Sequence, residues 1–348
     1  MIDYLNKETY NFNLPEELIA THPTDKRDHC KLMIMNRDDG QIEHKNFFDI
    51  VSYFKKGDVL VFNDSKVIPA RVFFKKETGG IVEVLFLKRI DDYTWECLLK
   101  GRKLKVNDKL FLDDIYATII EDNITSKKLK FSKQVTNELL NIIGNIPLPP
   151  YIIQSRKKNN EDEIIEDDKI VYQNVFAKRE GSIASPTSGL HFTNELIEKI
   201  KSIGVEVLYI TLHVGFATFN PIKENDLRKH IMHFEEFYID QSVANIIINA
   251  KKDNRRIIAC GTTVSRVLES EYDNFSFKRF SGETNIFIYP PYKFKCVDAM
   301  ITNFHTPHST LLAMVSAFSD YNHIMNAYNI AIENKYRFFS YGDAMFML

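Results

Sequence analysis

Polar residues that could do chemistry follow directly after apolar stretches of this sequence. The segment ITNFHTPHSTLL (residues 301–312) places His305 between a short apolar run, typical of a buried strand, and a longer run of helical length. Polar turns also follow apolar runs at Asn63 (NDSKVIPAR), Leu212 (LHVGFATFNP) and Cys260 (CGTT). Because ligands bind at the carboxyl ends of strands in sheets flanked by helices, these turns predict one polar, concave site.

Two histidines in these turns are candidates for proton transfer. His213 and His305 each follow a predicted strand. An imidazole exchanges its proton near neutral pH, which suits a general acid or base. A histidine with a purely structural role is the alternative for each.

The loop EGSIASPTSGLHF (residues 180–192) has the composition of a ligand-binding loop. Gly181 and Gly189 permit positive φ, and the small side chains let backbone N–H groups approach a ligand. The side-chain donors are Ser182, Thr187 and Ser188, and His191 follows them. This composition favours an anion or a flat heterocycle, and a tight surface turn is the alternative.

The segment HIMHFE offers two imidazoles and a carboxylate, from His230, His233 and Glu235. The spacing H-x-x-H-x-E differs from the i, i+4 pair of a zinc-protease helix, and on a strand the two histidines point to opposite faces. A role in supporting other site residues, or in general acid–base chemistry, is therefore favoured over a zinc site. A metal-dependent hydrolase or lyase built on this segment is the rival function.

The C-terminal stretch YRFFSYGDAMFML from Tyr336 has the pattern of a buried closing strand. Its polar members, Arg337, Ser340, Tyr341 and Asp343, could reach the same site. No G-x-G-x-x-G follows a predicted strand and no Walker A sequence occurs. Dinucleotide binding and the usual methyltransferase loop are therefore unsupported.

The composition is that of a globular protein, with 44% hydrophobic and 12% aromatic residues among 348. A chain of this length exceeds one usual core, so a large and a smaller domain are expected. No apolar stretch reaches about 18 residues and the start lacks a signal-peptide pattern, which predicts a cytoplasmic location. The four cysteines contain no C-x-x-C pair and are expected to be buried thiols.

Positive charge is concentrated in one part of the chain. Residues 71–160 carry 17 Lys and Arg against 11 Asp and Glu, a balance of +6, and the remainder carries 28 against 36, or −8. The basic groups are Lys75-Lys76, KGRKLK from Lys100, KKLK from Lys127 and Arg156-Lys157-Lys158. Such clusters can neutralise the phosphates of a nucleic acid, and an ordinary solvated surface is the alternative.

Periodicity divides the chain into two kinds of structure. After Arg71, short alternating segments broken by Gly, Asp and Asn turns predict a small all-β unit. The prolines from Pro147 to Pro150 predict an extended linker, and the charged residues 157–169 predict a mobile surface loop. Beyond Tyr172 the pattern alternates between helices and buried strands.

The predicted fold class is α/β. A larger α/β domain with a mostly parallel sheet (residues 1–72 and 155–348) is interrupted by a smaller, inserted all-β, barrel-like domain (residues 73–154). The predicted strands of the larger domain are 58–62, 205–211, 256–259, 285–288 and 297–302, and its helices are 194–202, 241–253, 262–270, one from 309, and 321–334.

Seven segments together resemble those of one family, the S-adenosylmethionine:tRNA ribosyltransferase-isomerases of queuosine biosynthesis. They run almost from end to end of the chain, in the family's order. They are FNDSKVIPAR from Phe62, GSIASPTSGLHF from Gly181, LHVGFATFNP from Leu212, HIMHFE from His230, CGTTVSRVLES from Cys260, VDAMITNFHTPHSTLLAMVSAF from Val297 and YRFFSYGDAM from Tyr336. Local departures from the family's pattern are Glu180, Ser185, Ser188, Ala217 and Pro291.

The resemblance implies an α/β domain that carries a smaller β-barrel, and a monomer. It implies transfer of the ribosyl moiety of S-adenosylmethionine to 7-aminomethyl-7-deazaguanine at the wobble position of tRNA, with isomerisation to epoxyqueuosine and release of adenine and methionine. S-adenosylmethionine is then a co-substrate, no metal or other cofactor is tightly bound, and the tRNA lies against the basic β-rich unit. A non-enzymatic RNA-binding module is a second rival, and it predicts tRNA binding without adenine release.

The resemblance also implies roles for individual residues, although which residue is the general base stays open. Those expected to act in catalysis are His213, His305, Asp64 and Arg71. Those expected to bind S-adenosylmethionine or the substrate are Gly181, Ser182, Thr187, Gly189, His191, Gly215, Thr218, His230, His233, Glu235, Gly261, Thr262, Thr263, Arg266, Asn303, Ser309, Thr310, Tyr341 and Asp343.

Overall fold

The computed structural model describes residues 2–123, 126–216 and 221–348. The chain forms two compact units. The first contains the residues up to Ser65, Gln173–Arg179 and Ser185–Leu348, and the second contains Lys66–Tyr172 and Glu180–Ala184. A large sheet forms the centre of the first unit, and a closed barrel of strands forms the second. The predicted fold class, an α/β domain with an inserted barrel-like β domain, is confirmed.

The helices and strands are numbered in chain order. In the described part of the chain the strands are β1 (Lys31–Met35), β2 (Ile42–Asn46), β3 (Val59–Asn63), β4 (Ser65–Val67), β5 (Arg71–Lys76), β6 (Ile81–Arg89), β7 (Thr94–Lys100), β8 (Lys109–Leu112), β9 (Ile115–Asp122), β10 (Lys127–Phe131), β11 (Arg179–Ser182), β12 (Glu206–Leu212), β13 (Glu235–Tyr238), β14 (Ile257–Cys260), β15 (Tyr272–Asp273), β16 (Ser276–Phe277), β17 (Ser281–Thr284), β18 (Ala299–Asn303) and β19 (Ala344–Met347). The helices of the same residues are α1 (Asn137–Ile143), α2 (Pro150–Lys158), α3 (Asp168–Val171), α4 (Asn194–Ser202), α5 (Gln241–Lys252), α6 (Thr262–Glu271), α7 (Thr310–Phe318) and α8 (Tyr321–Glu333).

The large sheet has the strand order β17-β13-β12-β3-β14-β18-β19-β1-β2. Its centre, β12-β3-β14-β18, is parallel. Antiparallel pairs join β17 to β13, β13 to β12, β18 to β19 and β1 to β2, whereas β19 and β1 are parallel. The sheet is therefore mixed, and the expected parallel pairing holds mainly at its centre. Two helices, α7 and α8, lie between β18 and β19 in the chain. The second helix brings the chain back to the end of the sheet where β18 finishes, so β19 pairs with β18 in the antiparallel direction.

The central strands are buried along their whole length. Every residue of β3 (VLVFN) and of β18 (AMITN) is buried, as expected for parallel strands covered on both faces. On one face, Leu196, Ile197 and Ile200 of α4 belong to the same hydrophobic core as Leu60 and Phe62 of β3. The helix begins where Thr193 accepts a hydrogen bond from the Leu196 N–H at 3.1 Å.

The barrel closes in the order β10-β7-β6-β5-β8-β9. Its interior contains Phe86, whose ring centroid lies 5.3 Å from that of Trp95 and 5.2 Å from that of Phe131. The register shifts between Phe86 and Lys88 and between Lys128 and Leu129. Such irregularities bend strands and help a small sheet to close on itself.

Some predicted elements differ from the structure. Residues 285–288 form no strand, and β17 ends immediately before them at Thr284. The charged residues 157–169 were expected to form a mobile loop, but Asp168 is buried and accepts two hydrogen bonds of 2.7 Å from Arg156. This ion pair therefore joins the residue that precedes the segment to its carboxyl-terminal end.

The barrel strands β5 to β10 lie within residues 71–131. The compact unit around them, Lys66–Tyr172 with Glu180–Ala184, extends beyond residue 154 through the end of α2 and through α3. The exact domain limits stay a prediction. Among the described residues, every helix is too short or too polar to span a bilayer.

Candidate active site

Four polar turns meet at one edge of the large sheet. The turns at Asn63, His213, Gly261 and Asn303 follow β3, β12, β14 and β18, which are parallel neighbours. The carboxyl ends of parallel neighbours lie at the same edge, where ligands bind in sheets of this kind. The sheet order thus brings together residues that are up to 240 positions apart in the chain.

Asn303, at the end of β18, connects the strand to the loop 187–191. Its Oδ1 accepts hydrogen bonds from Ser188 at 3.1 Å and Thr187 at 3.2 Å. Its Nδ2 lies 3.1 Å from Nε2 of His191 and donates to the Phe339 carbonyl at 3.2 Å. One amide therefore fixes the small-residue loop against the carboxyl edge of the sheet.

His191 is a buried member of this network. Its Nδ1 lies 3.2 Å from Sγ of Cys30, and its other ring nitrogen faces Asn303. Burial, with a smaller effect from the charges of Arg337 and Arg27, lowers the pKa of His191 to about 3. The ring is therefore neutral at physiological pH and suits an orienting role better than proton donation.

Gly261 joins β14 to α6 in a conformation that favours glycine. Its φ is +96°, and a Cβ at this position would lie 3.4 Å from the Ser188 hydroxyl oxygen. Thr262 and Thr263 follow in the first turn of α6, and both are buried. Within the described residues, Oγ1 of Thr263 has no hydrogen-bond partner. The backbone here can approach a ligand closely, and a hydroxyl is available beside it.

His213 follows β12 and is held on two sides. Its Nδ1 lies 2.8 Å from Oγ of Ser65, and its backbone N–H donates to the Glu236 carbonyl at 2.9 Å. Burial lowers the pKa of His213, although the charges of Glu236 and Asp64 oppose this effect. The side chain is only partly buried, so a neutral imidazole borders the site at physiological pH.

Asp64 lies in the neighbouring turn, which follows β3, and its charge acts on the His213 ring. It is nearly buried, and its Oδ1 accepts a hydrogen bond of 2.5 Å from Thr211. The carboxylate lines a cavity of about 440 Å³ together with Arg179, Tyr209 and Tyr238. The guanidinium carbon of Arg179 lies 5.3 Å from the Tyr238 ring, so the cavity wall combines aromatic and charged groups.

A second cavity, of about 220 Å³, is lined by the predicted residues His230, His233, Glu235, Arg266 and Thr310. Arg266 and Glu235 form a buried ion pair. Burial, and then the neighbouring charge of His233, lowers the pKa of His230. In the chain as described, no group of three or more His, Cys, Asp and Glu side chains is arranged to hold a metal ion.

Gly215 connects this cavity to the turn that carries His213. Its backbone N–H donates to Oε1 of Glu235 at 3.0 Å. Thr218, in the same turn, was also predicted to bind a ligand and lies outside the described residues.

Several predicted site residues use their side chains within the fold. Nε2 of His305 lies 2.9 Å from Oγ1 of Thr302, and burial lowers its pKa to about 3. Ser309 caps α7 by accepting from the Leu312 N–H at 3.1 Å. Asp343 accepts from the backbone N–H groups of Lys31 and Arg337, and burial raises its pKa. Tyr341, two residues before Asp343, is also buried.

Three predicted site residues belong to the second unit. The Arg71 guanidinium lies 3.1 Å from a carboxylate oxygen of Glu83 and 3.3 Å from one of Glu163. Gly181 has a φ of +151°, and the carbonyl of Ser182 accepts a hydrogen bond from the backbone of Ile68. Within their own unit, these contacts order the chain.

Sequence reasoning missed three side chains of the site. Ser65 contacts the His213 ring through its hydroxyl. It lies in the NDSK turn, in which only the neighbouring Asp64 is a predicted site residue. Tyr238 places its ring centroid 6.4 Å from that of His213. Cys30 contacts His191 from a position 161 residues away, and no local pattern signals that contact.

The chain is similar to known proteins over nearly its whole length. Residues 7–347 match the model of a family described as queuosine biosynthesis protein. A protein of Sulfurihydrogenibium sp. (strain YO3AOP1) named S-adenosylmethionine:tRNA ribosyltransferase-isomerase is 49% identical over 342 residues, which cover 97% of this chain and 98% of that protein. A protein of the same name from Fusobacterium nucleatum subsp. nucleatum is 48% identical over 345 residues, 97% of this chain and 95% of its own. The crystal structure of S-adenosylmethionine tRNA ribosyltransferase from Thermotoga maritima is 34% identical, with a TM-score of 0.56, and the match covers 98% of this chain and 100% of that one.

Proposed function

Because the chain belongs to the family of S-adenosylmethionine:tRNA ribosyltransferase-isomerases, we propose that the carboxyl ends of β12, β3, β14 and β18 form its active site. The protein is a tRNA-modifying transferase of queuosine biosynthesis. It moves the ribosyl moiety of S-adenosylmethionine to 7-aminomethyl-7-deazaguanine at the tRNA wobble position, and the products are epoxyqueuosine, adenine and methionine. S-adenosylmethionine acts as a co-substrate.

One observation carries the proposed site. Four polar turns, at Asn63, His213, Gly261 and Asn303, follow neighbouring parallel strands and therefore share one edge of the sheet. The loop 187–191 is hydrogen-bonded to that edge through Asn303. This arrangement supports a pocket for the nucleoside of S-adenosylmethionine between Gly261 and the loop, because both offer backbone at close approach.

The reaction needs a base and an acid in a closed pocket. The sulfonium of S-adenosylmethionine acidifies the neighbouring C5′ protons, so a base that removes one of them leaves an ylide. The ribose ring then opens, and the bond to adenine breaks as adenine takes up a proton. The substrate amine loses a proton as its nitrogen bonds to the carbon skeleton, and the ylide carbon closes the carbocycle. An oxygen of the skeleton then displaces methionine from carbon, which forms the epoxide. His213 is our candidate for the base, because its lowered pKa keeps the ring neutral and ready to accept a proton.

In this scheme Asp64 stabilises the imidazolium that His213 becomes. The charge of Asp64 already favours protonation of that ring. His305 was an equal candidate from the sequence, but it is 9% exposed and bonded to Thr302, so we assign it a structural role.

The test is incubation of the protein with S-adenosylmethionine and tRNA that carries 7-aminomethyl-7-deazaguanine. Chromatography should detect free adenine, and mass analysis should detect epoxyqueuosine. In single-turnover reactions His213→Ala should slow adenine release by about 10²- to 10⁴-fold, the usual contribution of a general base. Unchanged tRNA affinity would serve as the folding control.

Two results would overturn these assignments. Methyl transfer to tRNA without adenine release would refute the proposed function of the site. Near wild-type single-turnover rates in both His213→Ala and His305→Ala would remove both histidines as proton-transfer groups.

A further inference from the structure

Arg266 of α6 and Glu235 of β13 form an ion pair inside the first unit. Arg266 is 2% exposed and Glu235 is 5% exposed, and Nη1 of Arg266 contacts Oε2 of Glu235. The Gly215 N–H holds the other carboxylate oxygen at 3.0 Å. Burying two charges is costly, so a pair in this position calls for a reason other than stability.

Two of the three guanidinium nitrogens of Arg266 make no hydrogen bond to the described residues. Its Nε and Nη2 are buried, and the described residues supply no hydrogen-bond partner for either of them. A buried donor without a partner is costly and therefore rare, so such a group points to a ligand, ion or water that completes the bonding. A planar fork of N–H groups fits a carboxylate or a phosphate through two parallel hydrogen bonds.

The ion pair also forms part of the wall of the smaller cavity. Arg266, Glu235 and Thr310 line it together with His230, His233 and Lys229. A wall that presents a cation and an anion side by side suits a ligand that carries both charges. An anion without a positive charge of its own, such as phosphate, fits poorly, because Glu235 would repel it and the ligand would offer that carboxylate no cation.

The methionine end of S-adenosylmethionine carries both charges, an α-carboxylate and an α-ammonium. We propose that Arg266 binds the α-carboxylate of S-adenosylmethionine and that Glu235 binds its α-ammonium. This inference rests on the proposed function of the same site and extends it by assigning the methionine subsite. The sulfonium then lies between this subsite and the turn of His213, because Gly215 belongs to that turn and contacts Glu235.

Matched ligands test the proposal. Calorimetry should compare S-adenosylmethionine with its decarboxylated form, which keeps the sulfonium, the adenosine and the amine. In the wild-type protein the decarboxylated ligand should bind about 10- to 100-fold more weakly, the range expected for one charge-assisted, bidentate contact. In Arg266→Gln the two ligands should bind within about threefold of each other.

Control variants identify which cation is responsible. Lys229→Gln removes an exposed cation from the same cavity wall and should keep the full ratio between the two ligands. Arg266→Lys keeps a positive charge beside Glu235 but removes the planar guanidinium, so the ratio of the two affinities should become smaller. This variant avoids leaving Glu235 buried without a cation, which could prevent Arg266→Gln from folding. A desamino analogue of S-adenosylmethionine lacks the α-ammonium and should therefore bind the wild-type protein more weakly than S-adenosylmethionine does. In Glu235→Gln this difference in affinity between the two ligands should disappear.

Specific outcomes would overturn the inference. Equal binding of the two ligands by the wild-type protein would do so whether or not any variant folds. A full ratio in Arg266→Lys and Arg266→Gln, or loss of the ratio in Lys229→Gln, would do so as well. If the wild-type protein releases adenine in the presence of the tRNA while showing no dependence on the carboxylate, only this inference fails; if it releases none, the proposed function fails.

Discussion

The side-chain amide of Asn63 exchanges two hydrogen bonds with the backbone of Leu212. Nδ2 donates to the Leu212 carbonyl at 3.0 Å, and the Leu212 N–H donates to Oδ1 at 3.0 Å. The Ser65 N–H donates to the same Oδ1 at 3.1 Å. One buried side chain thus joins the ends of β3 and β12 immediately before His213.

Replacing Asn63 by Asp should destabilise this junction. A carboxylate cannot donate to the Leu212 carbonyl, so the free energy of unfolding should fall by about 1–3 kcal/mol. Urea denaturation measures the loss. Asn326→Asp, an exposed position in α8, should change stability by less than about 0.5 kcal/mol. Equal losses in the two variants would contradict the role assigned to Asn63.

Burial of His305 should make stability depend on pH. Its pKa is about 3 in the folded protein, against about 6.5 for an unperturbed imidazole. Below pH 6.5 His305 binds a proton in the unfolded chain but stays neutral in the folded protein. The free energy of unfolding therefore has its full value above pH 6.5 and falls as the pH decreases toward 3. Between pH 7.5 and 5.0 this residue should account for a loss of roughly 2 kcal/mol.

Urea unfolding of wild-type protein and His305→Gln at both pH values measures this effect. The variant should show a smaller difference between pH 7.5 and 5.0. Phe304→Leu is the matched control, because it truncates a neighbouring buried ring and leaves every imidazole in place. It should lower stability at both pH values and keep the full difference. The same pH difference in wild type and His305→Gln would refute the assignment.

Gly189 should resist substitution because of one neighbour. A Cβ there would lie 2.8 Å from three side-chain atoms of Asn174, which donates to the Pro186 carbonyl at 3.1 Å. Gly189→Ala should cost about 1–3 kcal/mol of stability and weaken the binding of S-adenosylmethionine. Adding Asn174→Ala creates space, so the double variant should be more stable than the sum of the single losses predicts. Strictly additive losses would locate the effect elsewhere.

The buried pair of Arg156 and Asp168 should be essential to the second unit. Asp168→Asn leaves a guanidinium buried without its anion and should cost about 3–5 kcal/mol. The exposed pair of Arg89 and Asp92 is the comparison, since Asp92→Asn should cost less than about 1 kcal/mol. Thermal or urea denaturation distinguishes the two. A negligible loss in Asp168→Asn would restore the expectation of a mobile loop.

The exposed lysines of the barrel should contribute to tRNA affinity through phosphates. Lys103 and Lys105 are exposed, and Lys76 orders their segment by donating to the carbonyls of Arg102 and Lys103. Reversing both charges should weaken tRNA binding and reduce the slope of log K against log salt by about 1 for each lost phosphate contact.

A matched pair of lysines lies far from the proposed site. Lys55 and Lys56 are exposed and precede the amino end of β3, opposite the carboxyl edge. Reversing their charges should leave the salt dependence nearly unchanged. Identical effects of both double variants would mean that net charge alone, and not the barrel surface, governs tRNA binding.

Local patterns predicted the elements whose ends are set locally. The predicted helix 194–202 coincides with α4, because Thr193 caps its start and an amphipathic run continues to Ser202. The sequence does not predict β17, because SGET is polar and forms a strand only through its pairing with β13. The sequence also placed His305 at a strand end correctly. Its burial, and the hydrogen bond of 2.9 Å from its backbone N–H to the Tyr328 hydroxyl of α8, depend on tertiary packing that no local pattern encodes.

The position of β19 in the large sheet has a consequence for how the chain is made. This strand lies between β18 and β1, so the amino-terminal hairpin of β1 and β2 has no neighbour in the sheet until residues 344–347 exist. At about 5–20 residues per second, the ribosome needs on the order of 15 to 60 seconds to travel from β1 to β19. For that time the backbone edge of β1 that pairs with β19 stays without its partner strand. We expect a chaperone that binds nascent chains to recognise this edge and the apolar residues beside it.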